Sequence, residues 1–281
     1  MSAYDITARP PTDDALNKIQ CNTVFAHLYI NPGVKNLPLT VPLNDVLEVS
    51  VHSIEIPRSY NIIRTGVNNR FILRYTPSIA PDPEPNILVP DGNYPAEALA
   101  SYITSVLAAN GNAFVAATTV LYNEFTNKFI ISSNNGAQSI STDDPFSADS
   151  VFPIMGFTSV PGFSPALTSD QIINLSGPDS LLIRSNELTK SSYSGMTIEN
   201  AGIAPKLNNN SNIFWKVPVT VNSRFTINNS PKDSNVQYQF NTHKRLLNID
   251  IDLLYPDTLE SVNLNNLPWS MTLKIKVAQP N

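Results

Sequence analysis

The sequence predicts an all-β protein: a single antiparallel β-sandwich of about 8–10 strands with one inserted α-helix. Three observations support this prediction. Segments along the whole chain alternate between apolar and polar residues, which is typical of strands with one buried and one solvated face. Only one stretch has the periodicity of a long amphipathic helix. The 23 prolines, together with many asparagines, supply the frequent turns that short strands need.

The N-terminal strands follow from this alternation and from the point where it breaks. Apolar residues occupy every second position from Val24 to Ile30. A second run begins at Leu47 and changes phase after Ser53, which indicates a bulge, because side chains alternate with a period of two along a strand. A third strand is expected at 71–75.

The inserted helix is expected at about 95–109, within the stretch DGNYPAEALASYITSVLAAN at 91–110. Pro95 suits the first helical turn, where its missing N–H is not needed. Asn110 and Gly111 supply the end of the helix. The apolar stripe that predicts packing against a sheet consists of Leu99, Tyr102, Ile103, Val106 and Leu107.

The strands after the helix are marked in the same way. A hairpin is expected at 118–133, with its turn at Thr126 and Asn127. The residues at 213–221 alternate strictly, but Pro218 restricts that strand to an edge or a bulge. A last strand is expected at 271–277. Because long excursions separate most strands, Greek-key connections are favoured over a meander.

Neither an internal repeat nor a break in composition divides the chain. We therefore expect an extended N-terminal arm at 1–22 and one domain at 23–281. The polar loops at 134–179 and 189–212 are longer than compact domains usually need, which indicates contact surfaces.

Charge and cysteine content exclude several classes of protein. The net charge of −5 argues against direct nucleic-acid binding, which requires clustered Lys and Arg. The densest basic group, Lys244 and Arg245 beside His243, is interpreted as a solvated turn. The single cysteine, Cys21, excludes an internal disulfide and agrees with a reducing compartment. The N-terminus lacks the features of a secretory signal, and no apolar run is long enough to span a membrane.

Motifs that carry chemistry are sparse. His27, His52 and His243 stand outside any ligand motif, and the first two occupy the polar phase of their strands. The chain contains neither a G-x-S-x-G elbow nor a glycine-rich phosphate loop. We therefore expect a protein that is not an enzyme, with no catalytic residue, no cofactor and no metal site.

Asp250 and Asp252 are the strongest candidates against that expectation. They lie two positions apart on the polar face of a strand expected at 247–255, where two neighbouring carboxylates raise one pKa or hold a hard cation. The ordinary alternative is that they keep a solvated face soluble. A polysaccharide-active enzyme that uses Asp250 or Asp252 is the hypothesis that this pair supports.

Six segments over about 45–277 carry a resemblance when they are taken in order. They are VLEVSVHSIEIPRSYNII at 46–63, DGNYPAEALASYITSVLAAN at 91–110, FPIMGF at 152–157, DSLLIRSNEL at 179–188, NIFWKVPV at 212–219 and LLNIDIDLLYPDTLESVNLNNLPWSMTLKIKV at 246–277. Together they resemble the minor capsid and penton proteins of large double-stranded DNA viruses (nucleocytoplasmic large DNA viruses) and of virophages. One departure is Met155, which stands where this family usually has Leu.

The resemblance implies a jelly-roll capsid protein without enzymatic activity. Such proteins occupy the five-fold vertices as pentons, or lie beneath or between the major capsomers. The implied partners are the major capsid protein, other minor capsid proteins and further copies of the chain, as a pentamer in the case of a penton. The implied location is the virion, assembled in the host cytoplasm. The chain is too short for a major capsid protein with two jelly rolls.

A second function stays open at this point. Jelly rolls also serve lectins, and loops with Asn, Asp and aromatic residues suit sugars. The alternative is therefore a carbohydrate-binding β-sandwich that acts in host attachment.

Overall fold

The computed structural model describes residues 21–76, 85–134, 139–145, 147, 149–190, 212–222, 224–230 and 238–279. Three helices occur in these residues, namely α1 (Ala96–Ala108), α2 (Ala113–Ala116) and α3 (Asn186–Thr189). The strands in them are β1 (Cys21–Ile30), β2 (Asn36–Pro57), β3 (Arg70–Thr76), β4 (Asn86–Leu88), β5 (Thr118–Asn123), β6 (Lys128–Ser133), β7 (Ser139–Thr142), β8 (Ala166–Thr168), β9 (Ser180–Arg184), β10 (Ile213–Pro218), β11 (Thr226–Asn229), β12 (Tyr238–Asp250), β13 (Asp252–Leu254) and β14 (Trp269–Ala278).

These elements confirm the predicted fold class, which is all-β and antiparallel with one long inserted helix. Every strand pairs with its neighbours in the antiparallel direction. The helix α1 begins and ends within one residue of the expected span of 95–109. More strands are found than were expected, because strands of three residues such as β4 and β13 are too short for alternation to mark.

One compact unit consists of Met1–Ser59 and Pro178–Asn281. Its five-stranded sheet has the order β1-β14-β2-β11, with β12 also paired to β2, and a three-stranded sheet has the order β10-β9-β13. The strand β14 lies between β1 and β2, so the first and last described strands are neighbours. Such non-sequential neighbours are the Greek-key feature of a jelly roll. The buried face of the larger sheet includes Leu28, Val51, Ile54, Leu273 and Ile275.

The other compact unit, Tyr60–Gly177, has its own core. It contains the sheets β4-β3-β7 and β5-β6-β8. The helix α1 places Leu99 and Ile103 in this core together with Phe71 and Phe129, and all four side chains are fully buried. The expected single domain at 23–281 stays a prediction, since this division describes compactness and not independent folding.

Several expectations for individual strands are confirmed. The pairing of β14 with β2 shifts register between Thr272 and Leu273, opposite the predicted bulge after Ser53. The hairpin β5–β6 turns at 124–127, with Asn127 at φ 54°. The strand β10, which contains Pro218, lies at the edge of its sheet.

Two expectations near the C-terminus are wrong. Lys244 and Arg245 lie inside β12 and not in a turn. The apolar alternation of the strand expected at 247–255 places Leu247 on the buried face, but Leu247 is half exposed while its neighbour Leu246 is buried. The second difference follows from the pairing of β12 with β2, because it shifts register at three places and each shift changes the face to which the next residues point.

The described helices do not include one that is long and apolar enough to cross a membrane. Most of the expected arm at 1–22 and of the loop at 189–212 lies outside the described residues. Cys21 and Asn22 already belong to β1.

Candidate functional site

Asp250 ends β12, and its carboxylate receives four hydrogen bonds from the start of α3. Asp250 Oδ1 accepts from the Ser185 hydroxyl at 3.0 Å and from the Glu187 N–H at 2.7 Å. Asp250 Oδ2 accepts from the backbone N–H and the side-chain amide of Asn186, both at 2.8 Å. Ser185 is itself the N-cap of α3 and accepts from the Leu188 N–H at 3.1 Å. Asp250 therefore anchors a helix start that is far away in sequence.

These hydrogen bonds also decide the charge of Asp250. Burial raises the pKa of the carboxyl, but the donors on Glu187, Asn186 and Ser185 outweigh burial and hold its pKa below the ordinary value of 3.8. The carboxylate is therefore ionised at neutral pH. It has neither the raised pKa that a general acid needs nor a lone pair that is clear of protein donors.

Asp252 begins β13 and belongs to a different set of contacts. Its Oδ2 accepts from Lys35 Nζ at 3.0 Å and from an Arg184 guanidinium nitrogen at 2.8 Å. Its Oδ1 accepts from the Ser261 hydroxyl at 2.8 Å. The Asp252 side chain is only 11% exposed. Asp252 thus ties β9, the residue before β2 and the loop before β14 together.

The structure separates the two aspartates that the sequence placed on one strand. Ile251 divides β12 from β13, so that Asp250 pairs with Asn36 of β2 whereas Asp252 pairs with Arg184 of β9. Each carboxylate has its own donors, and the pKa of Asp250 is lowered and not raised. The two carboxylates therefore do not form the hypothesised pair, and each is bonded to its own protein donors.

Asn93, in the GNY part of the stretch at 91–110, connects that stretch to the segment at 46–63. Asn93 Oδ1 accepts from the Ile62 N–H at 2.8 Å, and Asn93 Nδ2 donates to the Tyr60 carbonyl at 3.0 Å. Two backbone hydrogen bonds between Ile63 and Gly92 complete the connection. This residue was missed in the sequence, where Asn is frequent and no spacing marks one as special.

Ser59 connects the same segment to the C-terminal one. The Ser59 hydroxyl donates to the Leu264 carbonyl at 2.6 Å. In return, the Asn265 side chain donates to the Ser59 carbonyl at 2.5 Å. Both Asn265 and Asn266 have positive φ, which Asn tolerates better than most residues.

The FPIMGF segment at 152–157 forms a buried turn. Phe152, Met155 and Phe157 are almost fully buried. The rings of Phe152 and Phe157 meet edge to face, with their centroids 5.7 Å apart. Met155 stands where the resemblance leads us to expect Leu, and Met has a similar volume that a core accepts.

The three histidines have separate contacts. His27 Nδ1 lies 2.9 Å from the Thr272 hydroxyl. The His52 ring packs edge to face on Phe25, with the centroids 5.0 Å apart. His243 Nδ1 lies 3.2 Å from Asp45 Oδ1. Within the described part of the chain, no group of three or more His, Cys, Asp or Glu side chains is arranged to hold a metal ion.

Lys244 is partly buried beside α3. Its ammonium donates to the carbonyls of Glu187 and Lys190 and lies 4.9 Å from the centre of the Phe240 ring. Burial lowers the pKa of Lys244 below its ordinary value, although the Glu187 carboxylate acts in the opposite direction. Lys244 therefore binds the end of α3 and is not part of a solvated basic patch.

A cavity of about 420 Å³ lies beside Asp252. Lys35, Asp252 and Ser261 line it, but these three side chains are bonded to one another. The side chains that the cavity offers to a ligand are therefore mainly apolar. They include Ile30, Leu264, Leu267 and Trp269.

No family model matches the chain. Two solved structures are similar to it. The crystal structure of the mavirus penton protein shares 14% sequence identity at a TM-score of 0.47, with 91% of this chain and 99% of that chain covered. The cryo-electron microscopy structure of the Sputnik virophage shares 13% identity at a TM-score of 0.49, with 91% of this chain and 98% of that chain covered.

Proposed function

We propose that the chain is a structural virion protein, a minor capsid or penton component that builds or cements an icosahedral shell through protein–protein contacts. The observation that carries the proposal is the pairing of the sequence segments that resemble such proteins. The segment at 46–63 is bonded to the segment at 91–110 through Asn93, and the segment at 179–188 is bonded to the C-terminal segment through Asp250.

This pairing supports the proposal because it gives the resemblance a physical basis. Short segments that match a family by chance have no reason to lie together in the fold. Here their polar residues bind each other, and apolar residues in them, such as Phe152 in one unit and Ile183 in the other, are buried. The segments therefore contact one another within the fold, which is what segments shared by capsid subunits would do.

The same observation bears on the enzyme hypothesis. Asp250 and Asp252, which were the candidate catalytic pair, are used to hold α3 and the loop before β14. A protein that acts by presenting surfaces needs loops fixed in this way. The proposed partners are the major capsid protein, other minor capsid proteins and further copies of the chain, with a pentamer if it is a penton. The proposed location is the virion, assembled in the host cytoplasm.

Quantitative mass spectrometry of purified particles tests the proposal. We expect the chain to be present at a constant ratio to the major capsid protein across preparations, and a penton would have a copy number set by the number of vertices. Cryo-electron microscopy of the same particles then distinguishes a vertex position from a position beneath or between capsomers. Absence of the chain from particles, when it is abundant in the infected-cell lysate, would contradict the proposal.

A further inference from the structure

The tip of the β5–β6 hairpin displays a large hydrophobic side chain. Phe125 is 90% exposed, the highest value for any large hydrophobic residue that the structure describes. Leu121, on the same hairpin, is 59% exposed. Both side chains, together with Ile130, line an open groove of about 500 Å³. A single exposed hydrophobic residue is ordinary, but a group of them along a groove indicates a binding surface.

The backbone of this tip is held in one conformation. Asn123 Oδ1 accepts from the N–H groups of Phe125 at 3.0 Å and Thr126 at 3.2 Å. Asn127 receives the Tyr122 hydroxyl on its side chain at 2.7 Å and the Ile173 N–H on its carbonyl at 3.0 Å. Because the turn is already ordered, binding a partner at Phe125 costs little conformational entropy in the hairpin.

The rim of the groove is acidic. Glu97, at the start of α1, and Glu124, next to Phe125, both line it and are both exposed. Neither forms an ion pair with another described residue. The ammonium of Lys128, on the same hairpin, donates to the Asp170 carbonyl at 2.9 Å and not to either carboxylate. The groove thus combines an apolar floor with two carboxylates that form no ion pair among the described residues.

These charges argue against a second copy of the chain as the occupant. In a two-fold contact the same patch faces itself. Glu97 and Glu124 would then approach their own counterparts, and like charges brought together in an interface are unfavourable. A basic partner has the opposite, complementary charge.

We propose that this groove is a docking site for a segment of another polypeptide that presents an aliphatic side chain flanked by Arg or Lys. The aliphatic side chain packs between Leu121, Phe125 and Ile130. The flanking cations pair with Glu97 and Glu124 at the rim. This inference goes beyond the proposed function and does not require the chain to belong to a virion.

The test uses the purified full-length chain and two fluorescein-labelled peptides that share the same leucines. One peptide has arginines on both sides of each leucine, and the other has glutamates at those positions. Fluorescence anisotropy measures both affinities at physiological ionic strength. We expect the arginine peptide to bind about tenfold more tightly, since two rim ion pairs each contribute a modest factor.

Variants locate the binding site on the protein. Phe125→Ser is expected to weaken binding of the arginine peptide about tenfold, because it removes the apolar anchor. Leu88→Ser is the control, since Leu88 is an exposed large hydrophobic residue of the same unit that does not line the groove. The double variant Glu97→Lys with Glu124→Lys is expected to reverse the preference toward the glutamate peptide. Glu260→Lys, an exposed site in the other unit, should leave the preference unchanged.

Three results would overturn the inference. They are equal affinity for the two peptides, equal loss of affinity in Phe125→Ser and Leu88→Ser, and self-association of the wild type that Phe125→Ser abolishes in light scattering. Circular dichroism of each variant shows that it is folded. Because all these measurements use the isolated chain, their failure is independent of whether the chain is found in particles.

Discussion

Gly156 is a position where the fold leaves no room for a side chain. Its φ of +86° lies in the left-handed region, and a Cβ placed there would lie 2.4 Å from the Gln171 carbonyl oxygen. That neighbour is backbone, and it is fixed by a hydrogen bond from the Gln171 N–H to the Gly156 carbonyl at 2.8 Å. Neither the turn nor the chain that crosses it can move without breaking this contact.

Gly156→Ala is therefore expected to lower the free energy of unfolding by roughly 2–4 kcal/mol, from backbone strain and steric overlap together. Chemical denaturation measures the change. Gly162→Ala is the control, since Gly162 lacks positive φ and nothing lies within 4 Å of its Cβ position. If both variants have the stability of the wild type, the close approach of Gln171 is not present in solution.

Asp250→Asn tests whether the carboxylate has a structural role. At neutral pH we expect a loss of about 1–3 kcal/mol in the free energy of unfolding, because charge-assisted hydrogen bonds to the start of α3 are weakened. Asp179→Asn, an exposed aspartate beside β9, is the control and should be close to neutral. A measurement by urea unfolding distinguishes the two variants.

The pH dependence of the same pair gives an independent check. The pKa of Asp250 is lower in the folded chain than its ordinary value of 3.8, so its stabilisation is complete above that value and is lost as pH falls through the lowered pKa. The stability difference between the wild type and Asp250→Asn should therefore be constant from neutral pH down to about pH 4 and shrink below it. A difference that instead shrinks on raising the pH would contradict the assigned role.

Residue roles were the part of the structure that the sequence predicted least well. Asp250 and Asp252 were singled out only as a hypothetical catalytic pair, because a continuous strand would point both side chains to one face. The strand is interrupted at Ile251, and that interruption depends on register shifts between β12 and β2 that leave no mark in the local sequence. Asn93 was missed for a similar reason, since its partners at 60–62 are set by the tertiary fold.

At the scale of elements, α1 shows how periodicity translates into packing. Leu99, Ile103 and Leu107 are all fully buried, as the stripe predicted, while Tyr102 and Val106 are partly buried at its border.

Ile103→Ala is expected to lower the free energy of unfolding by about 2–5 kcal/mol through the cavity that it leaves. Ser101→Ala, on the exposed side of the same helix, should change stability by less than about 0.5 kcal/mol. Thermal unfolding of both variants measures the contrast, and equal melting temperatures would show that α1 does not pack on this core.

Elements with a long periodic signal were predictable, and short or irregular ones were not. The helix α1 and the β5–β6 hairpin lie almost where expected, because each combines periodicity with a turn or cap signal. The strands β4, β8 and β13 each have three residues, which is too few for alternation to rise above chance. Their positions are decided by the longer strands with which they pair.

At the scale of the whole molecule, the unit Tyr60–Gly177 has the features of a self-sufficient core. All buried members of its apolar cluster lie between Ile63 and Leu167. We expect a fragment of residues 60–177 to unfold cooperatively and to give a dispersed amide NMR spectrum. A fragment of residues 1–118, which has the same length but divides both units, should do neither. A fragment 60–177 without cooperative unfolding would favour the single domain at 23–281.

The position of β14 has a consequence for synthesis on the ribosome. This strand is the last one described, yet it is inserted between β1 and β2 and pairs with both along most of its length. The larger sheet therefore cannot close until β14 has left the exit tunnel, whereas residues 60–177 are available much earlier. Until then, the edges of β1 and β2 that pair with β14 are unpaired. A stop codon before Trp269 would leave these edges unpaired permanently, and unpaired strand edges are prone to aggregate.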